Sequence, residues 1–300
     1  MSLTCTASIV LPPHARGGGF DHGDVDAETG RVFVAHTAAG TVEVIDGVRV
    51  THEGTIPGCP EASGVLCAPR ERLVFAAARG AGKVLVVDAG SCRVAGEIAV
   101  GPKPNGLAWD GRRRRLLVAD VGDFRARLAD PRADTAARET ALPGRPRWCV
   151  YDGARDRFLI NIREPACVAV LDAGTAAVSA RWPVSSAGPH GLDADFEGRR
   201  AFVACDGGRV AAVDLDTGRE VAGAAIPGEP DAIWYNPDGS HLYVAIGQPG
   251  VIAVLDTREM AVVQEVATEA GAHTTAFDRT RRRLYVFLPR SCRADVYTEA

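Results

Sequence analysis

The sequence lacks a membrane span: no run approaches the roughly 20 consecutive apolar residues that a bilayer-crossing helix needs. Residues Met1 to Leu11 hold no basic residue and no long apolar core, so this segment does not read as a secretory leader. The expectation from both is a cytoplasmic chain with no membrane partner. The eight cysteines (Cys5, Cys59, Cys67, Cys92, Cys149, Cys167, Cys205 and Cys292) include no C-x-x-C pair, so neither a zinc knuckle nor a dithiol motif is signalled. In a reducing compartment they are expected to be free thiols that pack as small apolar side chains. Lysine is scarce beside arginine, yet the net charge of −4 gives no reason to expect a nucleic-acid partner. The basic runs Arg112–Arg115 and Arg281–Arg283 fall in turns and read as solvated. No G-x-S-x-G elbow, P-loop, dinucleotide fingerprint or Ser-His-Asp triad is present.

What is present is a repeat. The stretch His190 to Pro230 contains four short apolar runs separated by Glu197-Gly198, Asp206-Gly207-Gly208 and Asp216-Thr217-Gly218. Short runs bounded by Gly, Asp and Pro are strand and hairpin signals, and no 3.6-residue period competes with them. The stretch therefore reads as a four-stranded antiparallel meander. Its second-strand signature, RAFVAC at Arg200, recurs as RVFVAH at Arg31, RLVFAA at Arg72, RLLVAD at Arg115, RFLINI at Arg157, HLYVAI at His241 and RLYVFL at Arg283. The spacings are 41, 43, 42, 43, 41 and 42 residues, and a period near 42 with four strands per unit is the mark of a β-propeller. The expected fold is all-β: a seven-bladed propeller in one domain, with blades near 20–62, 63–104, 105–146, 147–189, 190–230, 231–272 and 273–300. The seventh copy stops after three strands, and the spare segment Thr4–Leu11 resembles a fourth strand, so the N-terminus is expected to close the ring. Closure removes the exposed sheet edges of an open array.

The chain resembles the YVTN (YncE-like) family of seven-bladed propellers in GDVDAETGRVFVAHTAAGTVEVID (23–46), HGLDADFEGRRAFVAC (190–205), AVDLDTGREV (212–221) and the junctions GPKPNG (101–106) and GEPDA (228–232). The resemblance spans essentially the whole chain and implies a fold more than a function.

In such a ring the first strand of each blade lines the channel. Asp26, Cys67 or Ala68, Asp110, Asp152, Asp195, Asn236 and Asp278 set the register, and blade two is one residue short by its Arg72 anchor. Five residues earlier stand Asp21, Ser63, Asn105, Arg147, His190, Asp231 and His273, the expected ring at the channel mouth. The next positions include His22 and Trp148, and His36, Asp120 and Cys205 end second strands on the same face. Three readings stay open. A divalent metal could be held by some of His22, His190, Asp231 and His273, since imidazole with carboxylate suits Zn, Ni, Fe or Mn. An anionic small molecule could be bound by Arg147 and Trp148, with Asp21, Asn105 and Asp120 as further ligand-binding positions. A water-filled channel whose polar groups satisfy one another is the third. If the site is enzymatic, hydrolase or lyase chemistry is expected, with His190 and His273 catalytic. The alternative function is a non-catalytic scaffold that docks a protein partner, and the chain is expected to be a monomer. Asp46, Asp88, Asp172, Asp214 and Asp256 are expected to cap turns, Trp109, Trp182 and Trp234 to pack between blades, and His14, His52 and His241 to lie on the surface.

Overall fold

A computed structural model describes residues 2–14 and 17–299. They form seven four-stranded antiparallel sheets, six of them laid out in chain order from the channel outward, with two short 3-10 turns as the helical content. Blade five is typical: Pro189–Asp195 innermost, then Arg200–Cys205, Arg209–Asp214 and Glu220–Ala225. The seventh sheet is completed by Leu3–Val10, which pairs antiparallel with Arg293–Glu299. The last blade is thus made of both chain ends, and the ring has no open edge between first and last blade.

The register corrects the reading of blade two. Asp26 pairs with Arg31 and Asp110 with Arg115, and the equivalent pair is Ala68 with Leu73. The second-strand anchor of this blade is Leu73, because Arg72 adopts a left-handed turn conformation before the strand begins. Blade two is therefore full length, and Ser63 keeps its place in the ring.

The core lies between blades. One apolar cluster joins Phe33 and Val44 of blade one to Val74 and Leu85 of blade two, and others join each later pair around to Val32 with Phe287 across the closure. Burying one such side chain fully contributes about 1.5–3 kcal/mol. Second-strand anchors add a polar clasp. Arg31 donates to the carbonyls of Ala89 (2.8 Å) and Gly90 (2.9 Å), Arg157 to Leu215, Arg200 to Thr257 (2.6 Å) and Arg283 to Gly47 (2.5 Å). Each bond reaches the third-to-fourth-strand turn of the next blade, the last of them across the closure. His241 plays this part in blade six: its Nδ1 bonds Glu299 at 2.6 Å, so it is buried rather than on the surface as expected. His14 and His52 are likewise half-buried and hydrogen-bonded. The basic runs lie in turns, where Arg112, Arg113, Arg114 and Arg282 are exposed as expected; Arg113 pairs with Asp110 and Asp156, Arg281 with Asp278, and Arg282 with Asp238. The five third-strand aspartates do cap their turns, as Asp46 shows by accepting from the N–H groups of Val48 and Arg49 at 2.9 Å.

Candidate functional site

The mouth is assembled where inner strands begin. Asn161, the lone polar residue in a repeat position held by alanine in five blades and by Phe287 in the seventh, donates its amide to the carbonyls of His190 (3.1 Å) and Gly191 (2.9 Å). Residue 191 has to be glycine: a Cβ there would stand 2.1 Å from the carbonyl oxygen of Asp231. The close approach of these two inner strands brings Asp231 beside His190.

Each ring nitrogen of His190 faces a carboxylate. Nδ1 lies 2.9 Å from Asp206 Oδ1 and Nε2 lies 3.3 Å from Asp231 Oδ1. A carboxylate only accepts, so Nδ1 carries the proton given to Asp206 and Nε2 is the nitrogen left to exchange one. Arg163 holds the other oxygen of Asp206 at 2.9 Å. His273 donates Nδ1–H to the Gly271 carbonyl at 2.7 Å and turns Nε2 toward Asp231 Oδ2, 3.8 Å away. The Trp148 indole donates to Asp231 Oδ1 at 3.1 Å. Its ring stacks on His22, with centroids 4.0 Å apart and planes 10° apart. His22 Nε2 is 3.4 Å from Asp21 Oδ1, and Arg79 donates to Asp21 Oδ2 at 2.6 Å.

Burial pushes the Asp231 carboxyl up, but the imidazoles of His190, His273 and His22 and the Trp148 indole outweigh it and hold the group below the usual carboxylate range. Burial lowers His22 despite the opposing pull of Asp21 and Asp231. Burial also lowers Arg147, aided by Arg145 and Arg163, with Asp231 and Asp206 opposing. Arg147 forms no ion pair among the described residues, and its Nε is buried without a hydrogen-bond partner. A cleft of about 630 Å³ opens beside this network, lined by Arg163, His190, Asp206, Glu229, Asp231 and His273.

The structure thus brings together His190, Asp231, His273, Trp148, His22 and Asp21, with Arg147 in electrostatic reach. It sets others apart. Asp120, expected at the ligand, is fully buried and accepts from the backbone N–H groups of Lys103 (3.0 Å), Gly122 (2.7 Å) and Asp123 (3.3 Å). Asn105 is buried, and Ser63 donates to a neighbouring carbonyl, that of Pro104, at 2.9 Å. The Cys205 thiol points to Val203 O inside the core, and burial raises it to about 12. His36 turns away to His14 and Glu43. Trp148 serves as a wall, one face covered by His22. For a metal, His22, His190, Asp231 and His273 are the right donor types, but both near imidazoles address Asp231 and His22 addresses Trp148. Among the described residues no group of three or more His, Cys, Asp or Glu side chains is arranged to hold an ion.

Three residues of the site were not read from the sequence: Arg79, Arg163 and Asp206. They share one repeat position, the sixth after each second-strand anchor Leu73, Arg157 and Arg200. The signal was a column holding two arginines and an aspartate, one place beyond the column of His36, Asp120 and Cys205.

The chain matches no protein-family model, and no curated protein matches it in sequence. In three dimensions it is similar to hydrazine synthase of Kuenenia stuttgartiensis, with a TM-score of 0.86, 15% identity, and coverage of 96% of this chain and 97% of that one. It is also similar to a chain of a mitotic checkpoint complex, with a TM-score of 0.84, 12% identity, and coverage of 99% and 92%. One neighbour is thus part of an enzyme and the other of a protein assembly, and identities this low speak to fold alone. Seven antiparallel blades in a closed ring, matched over nearly their full length by both neighbours, make this chain a seven-bladed β-propeller.

Proposed function

We propose that the channel mouth binds a small anionic molecule and that His190 exchanges a proton with it. The observation that carries this is Arg147. A half-buried guanidinium with no direct ion pair among the described residues, lowered by burial and by Arg145 and Arg163 against the opposing pull of Asp231 and Asp206, is costly to hold and gains from a carboxylate or similar anion. Arg163, His190, Asp206, Asp231 and His273 line the cleft, and Arg147 stands in electrostatic reach of Asp206 and Asp231. Asp206 fixes the His190 ring through Nδ1, which leaves Nε2 to act as acid or base. Asp231 sits beyond it as the group that would share the proton, and His273 is the second imidazole on the same carboxylate. Hydrolysis or elimination on a carboxylate-bearing substrate is the chemistry this set can serve. In this reading the repeat sequence makes the chain a YVTN-type propeller adapted to ligand binding.

The test is a thermal-shift and calorimetric screen of untagged protein against small mono- and dicarboxylates, inorganic phosphate, and Zn, Ni, Mn and Ca ions. The expected result is stabilisation by one anion class, with affinity falling about tenfold in Arg147→Met, the loss of one charge-assisted hydrogen bond. No anion effect, or one unchanged by that substitution, overturns the proposal. Tight stoichiometric binding of a metal that His190→Ala abolishes would favour the metal set His22, His190, Asp231 and His273 instead. No small ligand at all would leave protein docking as the better account of this face.

A further inference from the structure

Blade four gathers three guanidiniums at the mouth. Its first strand is Pro146–Asp152 and its second Arg157–Ile162, with Pro146 paired to Ile162. The pairing runs one residue further, because the Arg163 N–H donates to the Arg145 carbonyl at 2.8 Å. Arg145 and Arg163 therefore stand opposite one another on adjoining chain segments, where side chains share a face and like charges repel. Arg147 follows two residues after Arg145 and is half-buried. The same approach holds residue 144 to glycine: a Cβ there would stand 1.8 Å from the Glu164 carbonyl oxygen. The two backbones that carry these arginines are thus fixed at contact distance.

Carboxylates account for one of the three. Arg163 lies 2.9 Å from Asp206 Oδ2. That contact is an ion pair outside hydrogen-bond alignment, since Asp206 Oδ2 is buried with no hydrogen-bond partner, and the guanidinium keeps donors for a guest. Asp231 is engaged by His190, Trp148 and His273. Arg79, elsewhere on the mouth, is matched by Asp21 at 2.6 Å. Among the described residues Arg145 and Arg147 have no carboxylate within ion-pair distance, and Arg147 Nε is buried without a hydrogen-bond partner. Burial lowers the Arg147 guanidinium, Arg145 and Arg163 push the same way, and Asp231 and Asp206 oppose. In direct pairs, then, one carboxylate meets three positive groups and two are left.

We propose that the guest of this mouth is a small dianion, a molecule with two negative charges on carboxylate or phosphoryl oxygens, and that Arg145 selects it over a singly charged analogue. This rests on the anion reading of the mouth and names the class of anion. Asp206 holds Arg163 on one oxygen and His190 on the other, and both residues line the cleft. A charge that meets Arg163 is therefore beside the imidazole that exchanges a proton. The second charge falls to Arg145 and Arg147 on the adjoining segment. A planar guanidinium fork matches carboxylate and phosphoryl oxygens alike. A dianion spread over neighbouring forks offsets their mutual repulsion as it binds, whereas a single negative charge leaves one unmatched guanidinium facing the others.

The experiment is calorimetry at pH 8 on the whole untagged protein with three probes: succinate, succinamate (the same skeleton short of one charge) and inorganic phosphate. Succinate should bind roughly tenfold tighter than succinamate, the effect of one added charge-assisted hydrogen bond. Arg145→Gln should close most of that gap. Without ligand, the same variant should unfold roughly 1–2 °C higher, because a facing pair of like charges is relieved. Whichever of succinate and phosphate binds tighter names the oxygens as carboxylate or phosphoryl, and Arg145→Gln must weaken that one. Three results overturn the dianion and leave the anion reading standing: succinamate binding as tightly as both dianions, affinities that Arg145→Gln does not change, or a loss of stability in that variant. No binding of any probe, or binding that Arg147→Met leaves unchanged, overturns both.

Discussion

Two arcs of one ring treat their polar residues in opposite ways. On the blades-two-and-three side, Ser63 and Asp120 spend their hydrogen bonds on backbone: Ser63 on the Pro104 carbonyl, Asp120 on three N–H groups. On the side of blades five, six, seven and one, His190, Asp231 and His273 face other side chains beside an open cleft, and His22 and Asp21 face Trp148 and Arg79. The first pattern ties inner strands together at the channel. The second leaves exchangeable protons on His190 and His273 next to space. Polar residues of the channel mouth thus divide into those bonded to backbone and those that face other side chains.

The comparison can be broken most severely at Asp120. Asp120→Ala strands several buried N–H groups and should lower stability by about 3 kcal/mol, read as a fall in the urea midpoint. Arg147→Met is also the loss of a charged residue near the channel, yet it should leave the midpoint unchanged or raise it, because an unpartnered buried charge is removed. Equal losses in the two variants would erase the distinction between the arcs.

Acid should separate the arcs next. The Asp231 carboxyl is depressed by its imidazole neighbours, so it stabilises the fold above the usual carboxylate range and loses that effect as pH falls through its lowered value. His22, buried and lowered, adds stability above its ordinary 6.5 that declines as pH drops below it. Thermal unfolding between pH 7 and 5 should therefore show a decline that His22→Phe, which keeps the stack on Trp148, reduces. An unchanged decline would place the acid-sensitive group elsewhere.

The smallest expected effect concerns Asp24, further down the channel, where burial raises the carboxyl to about 6 despite the N–H groups of Cys67 and Val25. A raised acid costs stability as pH climbs from its unfolded value of 3.8 through about 6. Asp24→Asn should raise the unfolding temperature more at pH 7 than at pH 4, by a few degrees at most. A gain that does not grow with pH would mean that Asp24 is not held as the neutral acid.

Much of the ring was legible because the period of the chain is the period of the structure. The second-strand hexapeptides placed the blades, the spare N-terminal strand placed the closure, and counting back from the register residues put His190, Asp231 and His273 at one mouth. The reading failed where a position's neighbours belong to another blade. Arg72 looked like an anchor because its type matched, and only the pairing of Ala68 with Leu73 moved the anchor by one. His241 looked like a surface residue because nothing nearby in sequence says that Glu299, 58 residues on, reaches back to it.

By itself, the sequence determined the repeat, the number of blades and the columns from which a mouth could be built, because alternation and turn residues are local and recur every 42 or so residues. The tertiary structure decided which members of those columns meet. Trp148 reaches Asp231 across 83 residues and Arg79 reaches Asp21 across 58, distances set by how the blades pack around the axis. It also decided that Ser63 turns to a backbone carbonyl while His190, at the same repeat position, turns to carboxylates, since a side chain's direction is fixed by the packing around it and not by its place in the repeat alone.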